Sequence, residues 1–155
     1  MTMSKIVRAA ACVLLPFILV FGFYIVLHGH LTPGGGFQGG AVIATGFVLL
    51  MAAFSYDSIT ARISKSSLTG SETVGLLIFI VTAVTALGLG GTFFANWLAN
   101  SGAIFGTPVA FGANPGDLNT AGVIPIMNLA VGIEVLGGLS VILLYMLSGV
   151  GEEAV

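Results

Sequence analysis

The chain alternates long apolar runs with short polar connections, and this pattern is the strongest signal in the sequence. Apart from two histidines, no acidic or basic residue occurs between Arg8 and Asp57. Because an α-helix needs about 20 apolar residues to cross the hydrocarbon core of a bilayer, runs of this length predict transmembrane helices. Four segments qualify, roughly Ile6–Leu27, Gly39–Tyr56, Thr73–Ala95 and Gly122–Leu147. The pattern predicts an all-α membrane protein, with residues 1–155 forming a single integral-membrane domain of four transmembrane helices.

The polar connections predict the orientation of these spans. Residues 57–72 form a polar loop rich in Ser and Thr, and residues 96–121 form a connection rich in Gly and Pro, which predicts irregular backbone. Four spans place both termini and the 57–72 loop on one side of the membrane. That side carries every Lys and Arg of the chain, namely Lys5, Arg8, Arg62 and Lys65. The positive-inside rule therefore predicts cytoplasmic N- and C-termini, in the cell (plasma) membrane.

Composition excludes several classes of function. The chain is 6% charged and 57% hydrophobic, with a mean hydropathy of +1.12, whereas a typical globular domain is about 25% charged. The single cysteine, Cys12, excludes an internal disulfide and any zinc or iron–sulfur site built from cysteines of this chain alone. Four basic residues form no patch for nucleic acid. The run Ala9–Leu27 is too long for a signal-peptide core and ends without a small-residue cleavage site, which favours a transmembrane helix over a cleaved signal.

A glycine-rich segment joins the first two predicted spans. Residues 28–40 read His-Gly-His-Leu-Thr-Pro-Gly-Gly-Gly-Phe-Gln-Gly-Gly. The glycines at 34, 36 and 39 formally match a dinucleotide-binding fingerprint, and Asp57 follows about 20 residues later, as that fingerprint requires. The flanking elements are apolar runs of span length, however, and not a short strand and an amphipathic helix. The sequence therefore predicts no nucleotide binding and no cofactor.

The same segment is better explained as a tight junction between helices. Pro33 ends the first arm, because the residue before a proline is restricted to extended geometry. Glycines permit a positive φ and a close approach of other backbones, and the turn motif comprises Pro33, Gly34, Gly35, Gly36, Gly39 and Gly40. The pair Gly36 and Gly40 has the small-xxx-small spacing that lets membrane helices pack closely. A packing role is favoured here over direct ion coordination, which stays the alternative.

Glu134 is the most consequential side chain in the sequence. It lies near the middle of the fourth predicted span, where a carboxylate is costly and usually faces a bundle interior or a proton path. Gly137 and Gly138 share its helical face, so another helix can approach it closely. Two interpretations remain: ion or proton handling, or a protonated carboxyl that hydrogen-bonds a neighbouring carbonyl without a part in transport. Asn128, six residues earlier, is a second polar candidate for a bond between helices or a place on the path.

His28 and His30 complete the candidate ion or proton path. Both lie at the outer end of the first predicted span, where a residue that titrates near neutral pH can pass protons. Their i, i+2 spacing puts them on different faces of a helix, which makes them a poor metal pair, and no metal site is predicted. A plain interfacial role is favoured over a relay. No nucleophile set, paired carboxylates within a span or redox ligand constellation occurs, so the chain is predicted not to be an enzyme acting alone.

The string His30-Leu-Thr-Pro-Gly-Gly-Gly-Phe-Gln-Gly-Gly40 closely resembles the signature of the B-type small subunit of Mrp-type multisubunit cation/proton antiporters (MnhB-like). Gly90-Gly91 and the segment Gly122–Val135 also fit the layout of that family. The resemblance implies a four-helix subunit in a hetero-oligomeric complex with other antiporter-type membrane subunits. It also implies Na⁺ and H⁺ as the transported ions. Carried onto this sequence, its positions of interest are His30, Pro33, Gly34, Gly35, Gly36, Gly39, Gly40 and Glu134.

The resemblance leaves two hosts open. The first is a secondary Na⁺/H⁺ antiporter driven by the proton gradient. The second is the sodium-translocating arm of a ferredoxin-linked membrane-bound hydrogenase or sulfane reductase, whose redox chemistry would reside on other chains. A stand-alone small channel or transporter is a weaker third alternative, because four helices with one membrane-embedded acid look incomplete by themselves.

Overall fold

The computed structural model describes residues 3–102 and 118–152, and every regular element in these ranges is helical. The elements are α1 (Lys5–His28), α2 (Gly35–Phe54), α3 (Tyr56–Thr60), α4 (Lys65–Gly88), α5 (Leu118–Ala121) and α6 (Ile124–Glu152). Within the described ranges, α1, α2, α4 and α6 are long and apolar enough to cross a membrane. The predicted number of spans is therefore confirmed.

The four long helices pack in a row and do not form a closed bundle. Helix α1 packs along α2, α2 along α6, and α6 along α4, with only a minor contact between α1 and α6. Among the described helices, α4 has no substantial contact with α1 or α2, so α6 holds it in place. This arrangement leaves the outer faces of α1 and α4 covered with exposed apolar side chains, among them Phe17, Val20, Leu77 and Ile80. Such faces suit contact with lipid or with other membrane helices.

The short helix α3 packs against the ends of α2 and α6 through an apolar cluster. Phe47 and Met51 from α2, Ile59 from α3 and Leu144 from α6 form its buried centre. The cluster therefore joins the neighbouring elements α2 and α3 to α6, which is far from both in sequence, and it fixes the end of α2 against the end of α6. The sequence pattern predicts a polar loop over residues 57–72, and Ile59 instead provides an apolar anchor within it.

Two helices begin earlier than their apolar runs predict. Helix α2 begins at Gly35, within the glycine run and four residues before Gly39, and its first glycines pack closely on both sides. Helix α4 begins at Lys65, eight residues before the predicted span, and it ends at Gly88. Its start is fixed by Ser64, whose side-chain oxygen accepts a hydrogen bond from the Ser67 amide at 3.1 Å. A side-chain cap of this kind sets a helix start independently of hydrophobicity.

The segment after α4 is irregular from residue 89, so the predicted third span, Thr73–Ala95, extends seven residues too far. From residue 96 the irregular backbone agrees with the glycine-rich composition, and the segment is well anchored up to residue 102. The Trp97 indole Nε1 donates to the Thr82 carbonyl of α4 at 3.1 Å. The Asn96 side chain donates to the Ala121 carbonyl at 3.0 Å and accepts from the Val123 amide at 2.8 Å, which ties this segment to the start of α6. The remainder of the predicted connection, residues 103–117, lies outside the described residues.

Candidate functional site: the glycine junction and the acid-bearing seam

The glycine-rich segment brings α1, α2 and α6 together where α1 ends and α2 begins. Gly34 precedes α2 with a φ of 77°, a left-handed conformation that glycine adopts without steric cost. The glycines that follow lie in the first turns of α2, not in a loop, and alternate between two neighbours. Gly35 and Gly39 approach α1, with the Gly22 carbonyl oxygen 2.7 Å from the place of a Cβ on Gly39. The segment therefore acts as a two-sided packing face as well as a turn.

The other side of this face contacts α6. A Cβ on Gly36 would lie 2.6 Å from the Asn128 carbonyl oxygen, and a Cβ on Gly40 would lie 2.7 Å from the Gly132 carbonyl oxygen. Both obstacles are backbone atoms, which a rotamer change cannot move. Membrane helices gain little from hydrophobic association in lipid, so their stability depends on such close van der Waals packing. The small-xxx-small pair predicted from sequence lies at the α2–α6 contact.

Asn128 lies directly over this junction. Its side-chain Nδ2 is inaccessible and has no hydrogen-bond partner among the described residues, and a Cβ on Gly29 would lie 2.9 Å from it. A buried, unpaired amide donor is costly because it has lost its hydrogen bonds to water. The structure thus places a polar side chain from α6 against the α1–α2 connection, near the end of α1 where the histidines lie.

His28 and His30 lie beside the junction and make local contacts. The His28 ring stacks on Tyr24 with centroids 5.1 Å apart, and the two histidine rings are 6.4 Å apart. Nδ1 of His30 lies 3.2 Å from the Leu27 carbonyl oxygen and donates to it in the tautomer protonated at Nδ1. No group of three or more His, Cys, Asp or Glu in a metal-binding arrangement occurs among the described residues.

Glu134 lies on the seam between α6 and α4. The approach of the two helices is made possible by Gly75 of α4, where a Cβ would lie 2.6 Å from both the Ala130 carbonyl oxygen and the Glu134 amide nitrogen. One turn further along α6, a Cβ on Gly137 would lie 2.6 Å from the Leu68 carbonyl oxygen. The helix that approaches the small face around Glu134 is therefore α4 of the same chain. Glu134 itself is only partly buried.

Glu72 is a second acid on the same seam, and the sequence pattern does not single it out. Its Oε1 lies 3.4 Å from the place of a Cβ on Gly138, one helical turn from Glu134 on α6. The pattern predicts a polar loop at Glu72, whereas the structure places this residue in the second turn of α4. Two local signals point to the helix: the capping pattern of Ser64 and Ser67, and the i, i+4 small pair of Ser71 and Gly75.

The seam predicts opposite outcomes for two glycine substitutions on α4. Gly75→Ala would place its Cβ against the α6 backbone, so α4 must move away, and we expect a loss of about 1–3 kcal/mol of stability. Gly70→Ala is the matched control, since its Cβ meets nothing within 4 Å, and Ala is favoured over Gly in a helix by about 1 kcal/mol. Thermal unfolding in mild detergent measures both. Equal melting temperatures for the two variants would contradict the close α4–α6 contact.

The fold and the seam define the class of this protein: a small polytopic helical membrane protein whose helices form an open row. The chain belongs to the MnhB family, because a family model described as "Domain related to MnhB subunit of Na+/H+ antiporter" matches residues 6–151. This result confirms the resemblance carried by the glycine-rich segment.

Individual relatives support the same family. An uncharacterized protein of Methanocaldococcus jannaschii is 37% identical over 138 residues, which are 88% of this chain and 50% of that protein. A Na⁺/H⁺ antiporter subunit of Bacillus subtilis is 33% identical over 79 residues, 51% of this chain and 54% of that subunit. A solved chain of the membrane-bound sulfane sulfur reductase, an archaeal respiratory membrane complex, is similar with a TM-score of 0.73 and 38% identity. That match covers 93% of this chain and 58% of the solved chain. The chain spans about half the length of the curated relatives it matches.

Proposed function

We propose that this chain is a small membrane subunit of a multisubunit Na⁺/H⁺ antiporter module, in which it packs against other subunits and contributes to an ion or proton path. The observation that carries the proposal is the partly exposed Glu134 on an otherwise apolar span, in a chain of the MnhB family. A carboxyl group at this depth is costly and is usually retained for transport. The chain itself holds no catalytic group in this proposal.

The path is proposed to involve the α4–α6 seam, with Glu134 as its main titratable group. None of the other described residues makes a hydrogen bond or ion pair to this carboxylate, so it is available to an ion, a proton or a partner subunit. His28, His30 and Asn128 lie at the glycine junction and are proposed as secondary polar positions on the way to the membrane surface. Both termini are proposed to lie in the cytoplasm, because Lys5, Arg8, Arg62 and Lys65 all fall on that side.

A redox-driven complex is the second candidate host. The match to a chain of the sulfane sulfur reductase covers 93% of this chain at 38% identity, whereas the match to the Bacillus antiporter subunit covers 51% at 33%. This similarity supports, as the second candidate, a host in which a related module is coupled to electron transfer on other chains.

Purification of the chain from native membranes, through an affinity tag and in a gentle detergent, tests the proposal. We expect other antiporter-type subunits to be recovered with it and identified by mass spectrometry. Additional subunits with iron–sulfur or nickel ligands would assign the redox-driven host, and their absence from an otherwise complete module would assign the gradient-driven antiporter. Recovery of this chain alone, under conditions that preserve transport in the membranes, would contradict both and support an independent channel.

A further inference from the structure

The side of the α4–α6 seam that carries the two glutamates has a chemistry unlike the rest of the apolar surface. We define this acidic face by Glu72 and Leu76 of α4 and by Glu134, Gly138 and Ile142 of α6. The three α6 positions repeat every four residues, so they form one stripe along the helix. Ile142 is 55% exposed and Leu76 is 42% exposed, so the stripe faces outward from the row. Any role for this face rests on the proposed function, in which the chain is one subunit of a larger membrane complex.

No cation of the described chain neutralises this face. No ion pair or hydrogen bond from another described residue reaches either glutamate. Lys65 is the basic residue on the same helix, but its Nζ lies 4.5 Å from the centroid of the Tyr145 ring. It also precedes Glu72 by seven residues, or roughly 10 Å along α4. Arg8 belongs to α1, at the opposite edge of the row.

Lipid is a poor occupant for such a face. Acyl chains offer no hydrogen-bond donor or positive charge, and acidic side chains within membrane spans almost always face protein or water and pair with another group. The rest of the acidic face is apolar, and at Gly138 the Glu72 side chain lies against α6, with its Oε1 3.4 Å from the place of a Cβ. A helix that packs on the exposed side chains of Leu76 and Ile142 can bring one long side chain to these carboxylates.

We propose that the acidic face docks a transmembrane helix of another subunit that carries a lysine or arginine at the depth of Glu72 and Glu134. Charge complementarity selects the partner, and the exposed apolar side chains of Leu76 and Ile142 provide the packing. The edge position of α4, which is held only by α6 among the described long helices, leaves this side of the row open to the partner. The partner cation compensates the two acids and sets the register of the two subunits.

Site-specific photo-crosslinking in the intact complex tests this proposal. The photoreactive residue p-benzoylphenylalanine replaces Ile142, and the membranes are irradiated before solubilisation. We expect an adduct with another subunit, and mass spectrometry of the cross-linked peptide should place it in an apolar segment that contains a lysine or arginine. Leu129 is the matched control, because it is 45% exposed on the same helix. It lies nine residues, or about two and a half turns, before Gly138 and therefore on the opposite side of α6. The same peptide is not expected from that position.

Neutralising the two acids tests the role of charge. In the double variant Glu72→Gln and Glu134→Gln, we expect the yield of the adduct at position 142 to fall about tenfold. Removing one side of a buried charge pair weakens the affinity between two subunits by this much or more. Asp57→Asn, which removes an exposed carboxylate of α3, should leave the adduct unchanged. An unchanged adduct in the double variant, an adduct with lipid only, no adduct at all, or a partner segment without Lys or Arg would each overturn the proposal.

The two proposals fail in different ways. If the adduct forms as expected but a vesicle assay finds wild-type transport in the assembled Glu134→Gln variant, the ion-path proposal fails and the docking surface stands. If the adduct is absent and Glu134→Gln abolishes transport, the docking surface fails and the ion path stands. Tagged purification of each variant shows in parallel whether the complex has assembled.

Discussion

Replacing Gly36 and Gly40 together by leucine is expected to separate α2 from α6 and to remove the subunit from its complex. A Cβ at these positions would lie 2.6 Å from the Asn128 carbonyl oxygen and 2.7 Å from the Gly132 carbonyl oxygen. Overpacking of this kind costs about 1–3 kcal/mol at each site, and here the obstacles are backbone atoms that side-chain rotation cannot move. Because α1 packs mainly against α2, displacing α2 from α6 also separates α1 from the other long helices. We expect little folded subunit after detergent extraction.

The measurement is the amount of monodisperse subunit recovered through a tag, together with the partner subunits that remain bound. The double variant Gly70→Leu and Gly88→Leu is the control, since both positions lie on α4 and a Cβ on either meets nothing within 4 Å. It adds the same two side chains to the same class of helix without a backbone clash. Wild-type recovery of the variant at 36 and 40 would show that these glycines do not hold α2 against α6.

Glu134→Gln is expected to slow Na⁺-coupled proton movement by tenfold or more in vesicles that contain the assembled complex. The change keeps the shape of the side chain and removes its ability to ionise, and a positioned proton-transfer group contributes on the order of 100-fold to the rate of the step it serves. The backbone of Glu134 packs on Gly75, so the substitution leaves the α4–α6 contact intact. A loss of transport with normal assembly would assign a role in the ion path to the carboxylate.

Two further variants control this experiment. Glu134→Asp retains an ionisable group on a side chain one methylene shorter, and we expect it to keep part of the transport that the glutamine variant loses. Asp57→Asn removes an exposed carboxylate of α3 and should leave transport unchanged. Wild-type exchange rates in an assembled Glu134→Gln complex would favour the other interpretation, a protonated carboxyl that only hydrogen-bonds a neighbour.

The close approach of the helices was predictable where small residues recur at helical spacing. The spacing of Gly36 and Gly40 indicated a packing face, and the structure places that face against α6. Gly137 indicated a helix close to Glu134, and α4 lies there. The identity of the neighbour in each pair was not predictable, because a small residue specifies how closely two helices approach and not which helix approaches.

Helix ends are less predictable from this sequence than helix existence. Hydrophobicity locates the apolar middle of α4 but misses its first two turns, because a polar helix start is set by the Ser64 cap and by packing against α6. The apolar pattern consequently leaves Glu72 in a loop. Its position opposite Gly138 depends on the register of two antiparallel helices, and that register is fixed by backbone contacts at Gly75 and Gly137.

The sequence by itself predicted four membrane-spanning helices and a chain of the MnhB type, because span length, charge depletion and the glycine-rich string are local properties of the chain. The tertiary structure decided that the helices form an open row in the order α1, α2, α6, α4, and that Glu72 lies beside Gly138, one helical turn from Glu134. Helix order and register arise from contacts between residues that are far apart in sequence. In a membrane, apolar side chains gain little by moving from lipid to protein. The close fit of backbones and small side chains therefore selects which helices pair.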